Sequence, residues 1–509
     1  MSRTRIVQGN YLKVTGGDHN MSSEGKIVSN ASNEIRENGT GSGVTYGNFE
    51  RKGSTVNEDF EISFSLKKDS GFSTVVPFGI LDFEGNYENA NFVFNYSLML
   101  SNIDSLEFKV LNEDGSTLYA ITNLPEIVVT ARRLPLLAED IIKHKPAYEP
   151  LEPVKVWDWK SVFDPYNTAP SDYTKVGSYV IFWDGFDNNG MYDSSKFNNK
   201  KLKAVITASK NGKQKTKEVE FTTRYDKVDW VDVKIDKNNK RIDTTLRVNL
   251  QDGGAEGLEC SSRLEGARHE TRWVEHCPWD KIPKEALAFY NKPPIKTRQR
   301  TYQELLDITL QGINQFWSRN SKNIGKGVNI VSDFYEVYIN ANVDEQGLLA
   351  PKIVYQSNCE EGRSRNFEAS RILFFHEGYL YKESWKKSNP VSIFYKNRGW
   401  IYRSENTNDE RNVLLNLPSL IDDYKMVSAH EIGHEILLTY GGHIYSKTHK
   451  GTSHWSMIIQ DPDEDATYVP QTGEIDLMKY YHNYYDIPRT IISEFDLLKV
   501  VWLTKINVS

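Results

Sequence analysis

The run Phe60-Glu-Ile-Ser-Phe-Ser-Leu66 alternates apolar and polar residues at period two, the mark of a strand with one buried face. Similar alternation recurs up to Ile127-Val-Val-Thr130 and predicts a β domain over residues 55–133. Lys145-Pro-Ala-Tyr-Glu-Pro-Leu-Glu-Pro153 is punctuated by proline and reads as a linker. Tyr179–Trp183, Leu202–Thr207 and Val219–Thr223 predict a second β domain over 154–250. From about residue 251 the texture changes, and Pro293-Pro294 closes a further linker. Leu306, Leu310, Ile313 and Trp317 then recur on one face of a helix. Tyr335, Val337, Ile339, Ala341 and Val343 alternate as a half-buried strand, and Arg371–Phe375 and Val391–Tyr395 are further strand candidates. A long helix is expected over 419–440, ended by Gly441-Gly442. A last helix is expected after Pro488, with Ile491, Phe495, Leu498 and Trp502 as its apolar face. This order of elements predicts an α+β domain over 290–509, able to fold alone. The fold class is thus multidomain: a β-rich N-terminal half followed by an α+β domain.

Residues 1–50 are rich in Gly, Asn and Ser, but they carry a period. Gly9, Gly17 and Gly25 stand at equal intervals and Asn33 takes the next slot. Glycine at repeated corners predicts short stacked strands that bury a face only against a neighbour. In the second β domain, Asp184, Asp187, Asn189 and Asp193 offer oxygen ligands suited to calcium. The same residues are also those that build tight Asn-Gly and Asp-Gly turns.

Composition narrows the function. Among 509 residues, a net charge of −7 argues against non-specific nucleic-acid binding, which needs a basic surface. No apolar run is long enough for a transmembrane helix. Met1-Ser-Arg-Thr-Arg-Ile-Val-Gln-Gly9 lacks the apolar segment of a secretory signal. Cys260, Cys277 and Cys359 are odd in number and scattered, which predicts neither a disulfide framework nor a cysteine-ligated zinc, and fits a reducing compartment.

The sharpest chemical signal is His430-Glu-Ile-Gly-His434 inside the long helix. Residues i and i+4 lie one above the other on a helix, so both imidazoles can reach one zinc ion. Glu431 points to the side, where it can hold a water molecule and take its proton as the zinc acidifies it. Two histidines leave a catalytic zinc one ligand short. His443, His449, His454, Asp476 and Glu494 are the candidates. Glu494 would resemble the gluzincin arrangement, but the Asp expected one turn later is Leu498. Asp476 in Gly473-Glu-Ile-Asp476 partly resembles the aspzincin motif.

Asp476-Leu-Met-Lys-Tyr480 resembles the Met-turn of metzincins, in which a Met and a Tyr two residues later lie beneath the zinc. That resemblance makes Tyr480 a catalytic candidate and implies a third histidine between helix and turn. His443 follows the glycines too closely to double back, whereas His449 has chain enough to return to the metal. His449 is therefore the expected third ligand, beside His430 and His434.

The segments Ala429–Ser453, Gly473–Tyr481 and Ser493-Glu-Phe-Asp-Leu-Leu498 resemble the metallopeptidase toxins of bacterial polymorphic toxin systems. The resemblance covers residues 290–509 and implies a zincin-like fold, a zinc cofactor, a protein substrate in a target cell and a cognate immunity protein. The octads of residues 1–50 resemble the β-helical needle repeats of phage-tail and type VI secretion spikes, implying a spike or tube component as partner. Pro125–Arg132 and Trp230–Asp236 resemble modular type VI cargo effectors, and Trp183–Gly190 resembles an immunoglobulin-like domain. The two β domains are accordingly expected to be Ig-like sandwiches. Together these imply an effector made in the bacterial cytoplasm and exported without a cleaved signal. Two other readings remain open: a zinc peptidase that cuts peptidoglycan stem peptides, and a non-catalytic spike or surface protein.

Overall fold

The computed structural model describes residues 59–69, 71–122, 127–133, 148–156, 174–267, 269–367, 370–386, 393–406, 409–415, 417–441, 468–481 and 486–509. The octads of residues 1–50 lie outside these. The described residues from Phe60 to Ser509 form one β-rich unit.

Its first layer pair is a sandwich. One sheet joins Glu61–Lys67, Phe92–Met99 and Gly177–Trp183, all antiparallel. The facing sheet runs Thr74–Val75, Ile506–Val508, Lys213–Tyr225, Lys200–Lys210, Ser105–Leu111, Thr117–Thr122. Period-two alternation does its work here: Leu106, Phe108 and Val110, with Leu202, Ala204, Ile206 and Ala208, all point inward. They meet an aromatic core in which Phe92 packs on Trp183, Phe197 and Phe221, and Phe94 on Phe64 and Phe108.

This arrangement differs from the two separate β domains expected over 55–133 and 154–250. Strand Ser105–Leu111 from the first range pairs with Lys200–Lys210 from the second, and both sheets mix the two ranges. Alternation specifies which face of a strand is buried but not which strand lies beside it. The expected linker around Pro150 also contributes a strand, Tyr148–Val156, which pairs with Ile127–Arg133 across an irregular register. Proline is tolerated in such a two-stranded ribbon because each strand has a free edge.

The second layer pair carries the motif helix. Its sheet runs Val328–Ile330, Asp333–Val343, Arg241–Glu256, Leu348–Gln356, Ser370–His376, Arg365–Phe367. Arg241–Glu256 is parallel to Asp333–Val343 and Leu348–Gln356 and also pairs antiparallel with Val231–Asp236, and Leu348–Gln356 is parallel to Ser370–His376. The edge strand Arg365–Phe367 is antiparallel. Arg241–Glu256 thus sits in the middle of this sheet, although most of it falls in the range expected for the second β domain. The boundary expected near residue 290 separates a central strand from its neighbours.

Helices Tyr302–Trp317 and Leu420–Gly441 pack together over this sheet. Thr301 and Glu304 close a capping box at the start of the first helix. The two helices cross closely at Gly312, where a Cβ would lie 2.4 Å from the carbonyl oxygen of Lys425. Thr309 bonds the Tyr424 hydroxyl, and the Trp317 indole donates to the Ala429 carbonyl at 3.0 Å.

The last helix, Glu494–Trp502, starts later than expected because Ser493 caps it and Pro488 lies in a separate turn. Its buried face is Leu497, Val500, Val501 and Trp502, and Phe495 is exposed. Ile506–Val508 then leaves the layers of the motif helix and enters the sandwich.

The cysteine expectation is overturned: Cys260 and Cys277 form a disulfide. It lies at the base of the hairpin Ser261–Glu265 and Arg272–His276, whose pairing brings the two cysteines together. Spacing along the chain carries no sign of that pairing. Among the described residues no helix is long and apolar enough to cross a membrane.

Candidate functional site

The helix Leu420–Gly441 places His430 and His434 one turn apart, with their Nε2 atoms 3.2 Å from each other. The Nδ1 of His430 lies 2.7 Å from the carbonyl oxygen of Leu477. That contact holds a proton on Nδ1 and leaves the Nε2 lone pair for a metal. Two nitrogens bound tetrahedrally at about 2.0–2.1 Å from zinc stand roughly 3.3–3.4 Å apart, so the pair fits one zinc ion. Burial lowers the pKa of His430, which favours the neutral, ligating form.

Beneath the helix runs the segment Ile475–Tyr481. Ile475–Asp476 pairs in parallel with Thr490–Ile491, and Leu477 N–H donates to the Ile491 carbonyl. The Asp476 carboxylate accepts from Met478 N–H at 2.9 Å and makes the turn. Met478 lies against Gly433, and Tyr480 stacks on His430 with centroids 5.9 Å apart and planes 10° apart. The expected neighbours of the motif, Met478 and Tyr480, are therefore brought to it.

Burial pushes the Glu431 carboxyl up to about 7, against the opposing charges of Arg363 and Arg365. A carboxyl poised there is well placed to accept and return a proton. Asn366, on the edge strand, donates to the Glu431 backbone carbonyl at 2.8 Å and ties that strand to the helix. Arg363 donates to the Tyr480 hydroxyl at 3.0 Å. Arg319, almost fully buried, grips Glu474 through two bonds of 2.8 Å and the Ile492 carbonyl through a third, which braces the Met478 segment. Sequence reasoning missed Arg319, Arg363 and Asn366. They lie far along the chain from their partners and belong to no short motif.

Among the described residues no third ligating side chain joins the histidine pair. His443, His449 and His454 lie outside the described residues. The Glu494 carboxylate accepts from the Asn329 backbone amide and side chain, and Asp476 is engaged in its turn. Among the described residues, the group of three ligating side chains within mutual reach is Cys260, Glu275 and Cys277, whose cysteines are bonded to each other. Neither Glu494 nor Asp476 forms such a group with the histidine pair.

The carboxylates considered for calcium are used internally. Asp184 pairs with Lys237, Asp187 accepts from Asn189 and Met191 N–H, and Asp193 caps the turn at Ser195. They act as turn residues.

Comparison with known proteins gives no matching family model and no matching curated protein.

Proposed function

We propose that this protein is a zinc-dependent endopeptidase. The observation that carries the reading is the His430–His434 pair, with Nε2 atoms 3.2 Å apart and His430 fixed by the Leu477 carbonyl. His430, His434 and a third ligand, for which we propose His449, would hold the metal. When bound, zinc polarises a carbonyl and acidifies water.

The chain's own residues supply the rest. The Glu431 carboxylate takes a proton from water as the water oxygen bonds to the carbonyl carbon, and the C=O pair moves onto oxygen. When the C–N bond breaks, Glu431 returns the proton to the leaving nitrogen. The strand Arg365–Phe367 lies beside Glu431 and, among the described residues, at the edge of its sheet, which suits an extended peptide added as a further strand. An antiparallel edge strand, a motif helix and a Met-containing turn beneath it support the zincin-like reading of this region. The antiparallel sandwich likewise supports an Ig-like reading of the N-terminal layers.

We further infer an effector role. The octads of residues 1–50 would load the protein on a spike or tube component for export without a cleaved signal. A protein in the target cell would be its substrate, and an immunity protein would protect the producer.

Metal analysis and peptide-library cleavage by the whole protein test the enzyme reading. One zinc per chain and chelator-sensitive cleavage are expected. Glu431→Gln should keep the zinc and lose about 10²–10⁴-fold in rate. Absence of stoichiometric zinc would overturn the reading, and cleavage of muropeptides alone would transfer it to peptidoglycan.

A further inference from the structure

Arg363 and Tyr480 come from distant parts of the chain yet meet at the motif helix. The Arg363 guanidinium donates through Nη2 to the Tyr480 hydroxyl at 3.0 Å. A hydroxyl that accepts this bond keeps its own hydrogen for a different acceptor. The Tyr480 ring lies nearly parallel to the His430 ring, so the hydroxyl has a fixed position relative to the metal-binding imidazole. Arg363 is also the charge that acts most strongly on Glu431. Arg363 thus bonds the hydroxyl of the ring that stacks on His430, and its charge is felt by Glu431.

A purely structural role explains this poorly. Arg363 is exposed, so its side chain fills no core space. The Tyr480 segment is already held by the Leu477–Ile491 backbone bond, the Asp476 turn and the Arg319–Glu474 grip.

We propose that Arg363 is a positioning residue that orients the Tyr480 hydroxyl to donate to the oxyanion of peptide hydrolysis. This rests on the endopeptidase reading above. Water adds to the carbonyl carbon, its proton passes to Glu431, and the C=O electron pair settles on the oxygen. That oxygen accepts the Tyr480 hydrogen. The guanidinium behind the hydroxyl makes it a stronger donor and opposes the new negative charge, an effect that grows only as the charge develops. The interaction therefore appears in kcat and leaves KM nearly unchanged.

The test uses the full chain in four forms: wild type, Arg363→Ala, Tyr480→Phe and the double variant, with Arg363→Lys as a conservative control. Zinc content is measured for each. We expect wild-type zinc throughout and kcat lowered about 10²-fold or more in each single variant, as for loss of one oxyanion donor. The double variant should be no slower than Tyr480→Phe, because both changes remove one interaction. Arg363→Lys should recover part of the loss. A second readout needs no turnover: a peptidyl phosphonate, whose tetrahedral group carries the negative charge, binding to Glu431→Gln. Adding Arg363→Ala should weaken that binding at least tenfold, while an uncharged substrate peptide binds as before. Wild-type kcat in Arg363→Ala, strictly multiplicative losses, or an effect on KM alone would overturn the proposal while leaving the peptidase reading intact. A wild-type protein that holds no zinc and cleaves nothing would overturn both.

Discussion

Gly433 and Met478 are in such close contact that a Cβ on the glycine would lie 2.6 Å from the methionine sulfur. The same Cβ would lie 2.9 Å from the Trp317 ring. In an exposed helix, Gly→Ala gains roughly 1 kcal/mol. Here the sign reverses, because the buried Trp317 cannot yield without moving its bond to Ala429. Gly433→Ala should destabilise by about 1–3 kcal/mol, as overpacking does. It should also weaken zinc binding, since the displaced turn carries the Leu477 carbonyl that orients His430. Calorimetric melting and a competitive zinc titration measure the two effects, and an unchanged melting temperature would refute the first.

A fragment of residues 290–509 should not fold. It lacks Arg241–Glu256, the strand between Asp333–Val343 and Leu348–Gln356, and leaves Ile506–Val508 without its sandwich partners. Residues 60–509 should give the dispersed amide spectrum of a folded protein, and the shorter fragment a collapsed one. A well-dispersed spectrum from 290–509 would contradict the sheet order.

Cys260 and Cys277 should titrate as a bond. Denatured protein kept free of reductant should offer a single thiol, that of Cys359, and all three after reduction. In the native protein even that thiol should react slowly, because burial pushes its pKa up to about 11. Loss of the bond should cost about 2–4 kcal/mol. Three thiols in the unreduced denatured chain would refute the pairing.

His376 should make stability fall in mild acid. Burial, with help from the nearby Arg403 charge, lowers its pKa to about 4, whereas in an unfolded chain it is about 6.5. The neutral ring is the form the fold accepts. Its contribution is complete above pH 6.5 and is lost as pH falls through 4, up to about 3 kcal/mol. Denaturant melts of wild type and His376→Gln at pH 7 and pH 4.5 measure the difference. A variant with the same acid sensitivity as wild type would remove His376 from the account.

Local pattern foretold local structure well. The Leu306–Trp317 periodicity marks the helix Tyr302–Trp317, and the H-E-x-x-H spacing puts two imidazole nitrogens 3.2 Å apart. Failures came where a residue's partner lies far along the chain. Ser105–Leu111 reads as a strand from its own residues, but its pairing with Lys200–Lys210 is decided by the core the two strands share. The cysteine pair closes only once a hairpin forms between its members. Arg319, Arg363 and Asn366 reach the site through folding alone, and each looks like an ordinary polar residue in its local context. The last helix differs in phase from its expected pattern because Ser493, and not Pro488, begins it.

Strand Ile506–Val508 lies between Thr74–Val75 and Lys213–Tyr225, and Lys505 pairs with Glu88 across 417 positions of chain. A ribosome therefore releases the early strands of this sheet long before their neighbour exists. Until then the sheet has an open slot, and its exposed backbone must be shielded or left unformed. Tyr440, at the far end of the motif helix, bonds the Leu81 carbonyl of the same early region. Through that bond the helix of the histidine pair is tied to the same sandwich region. The nascent chain therefore carries both histidines before the strand that fills the sandwich has been made.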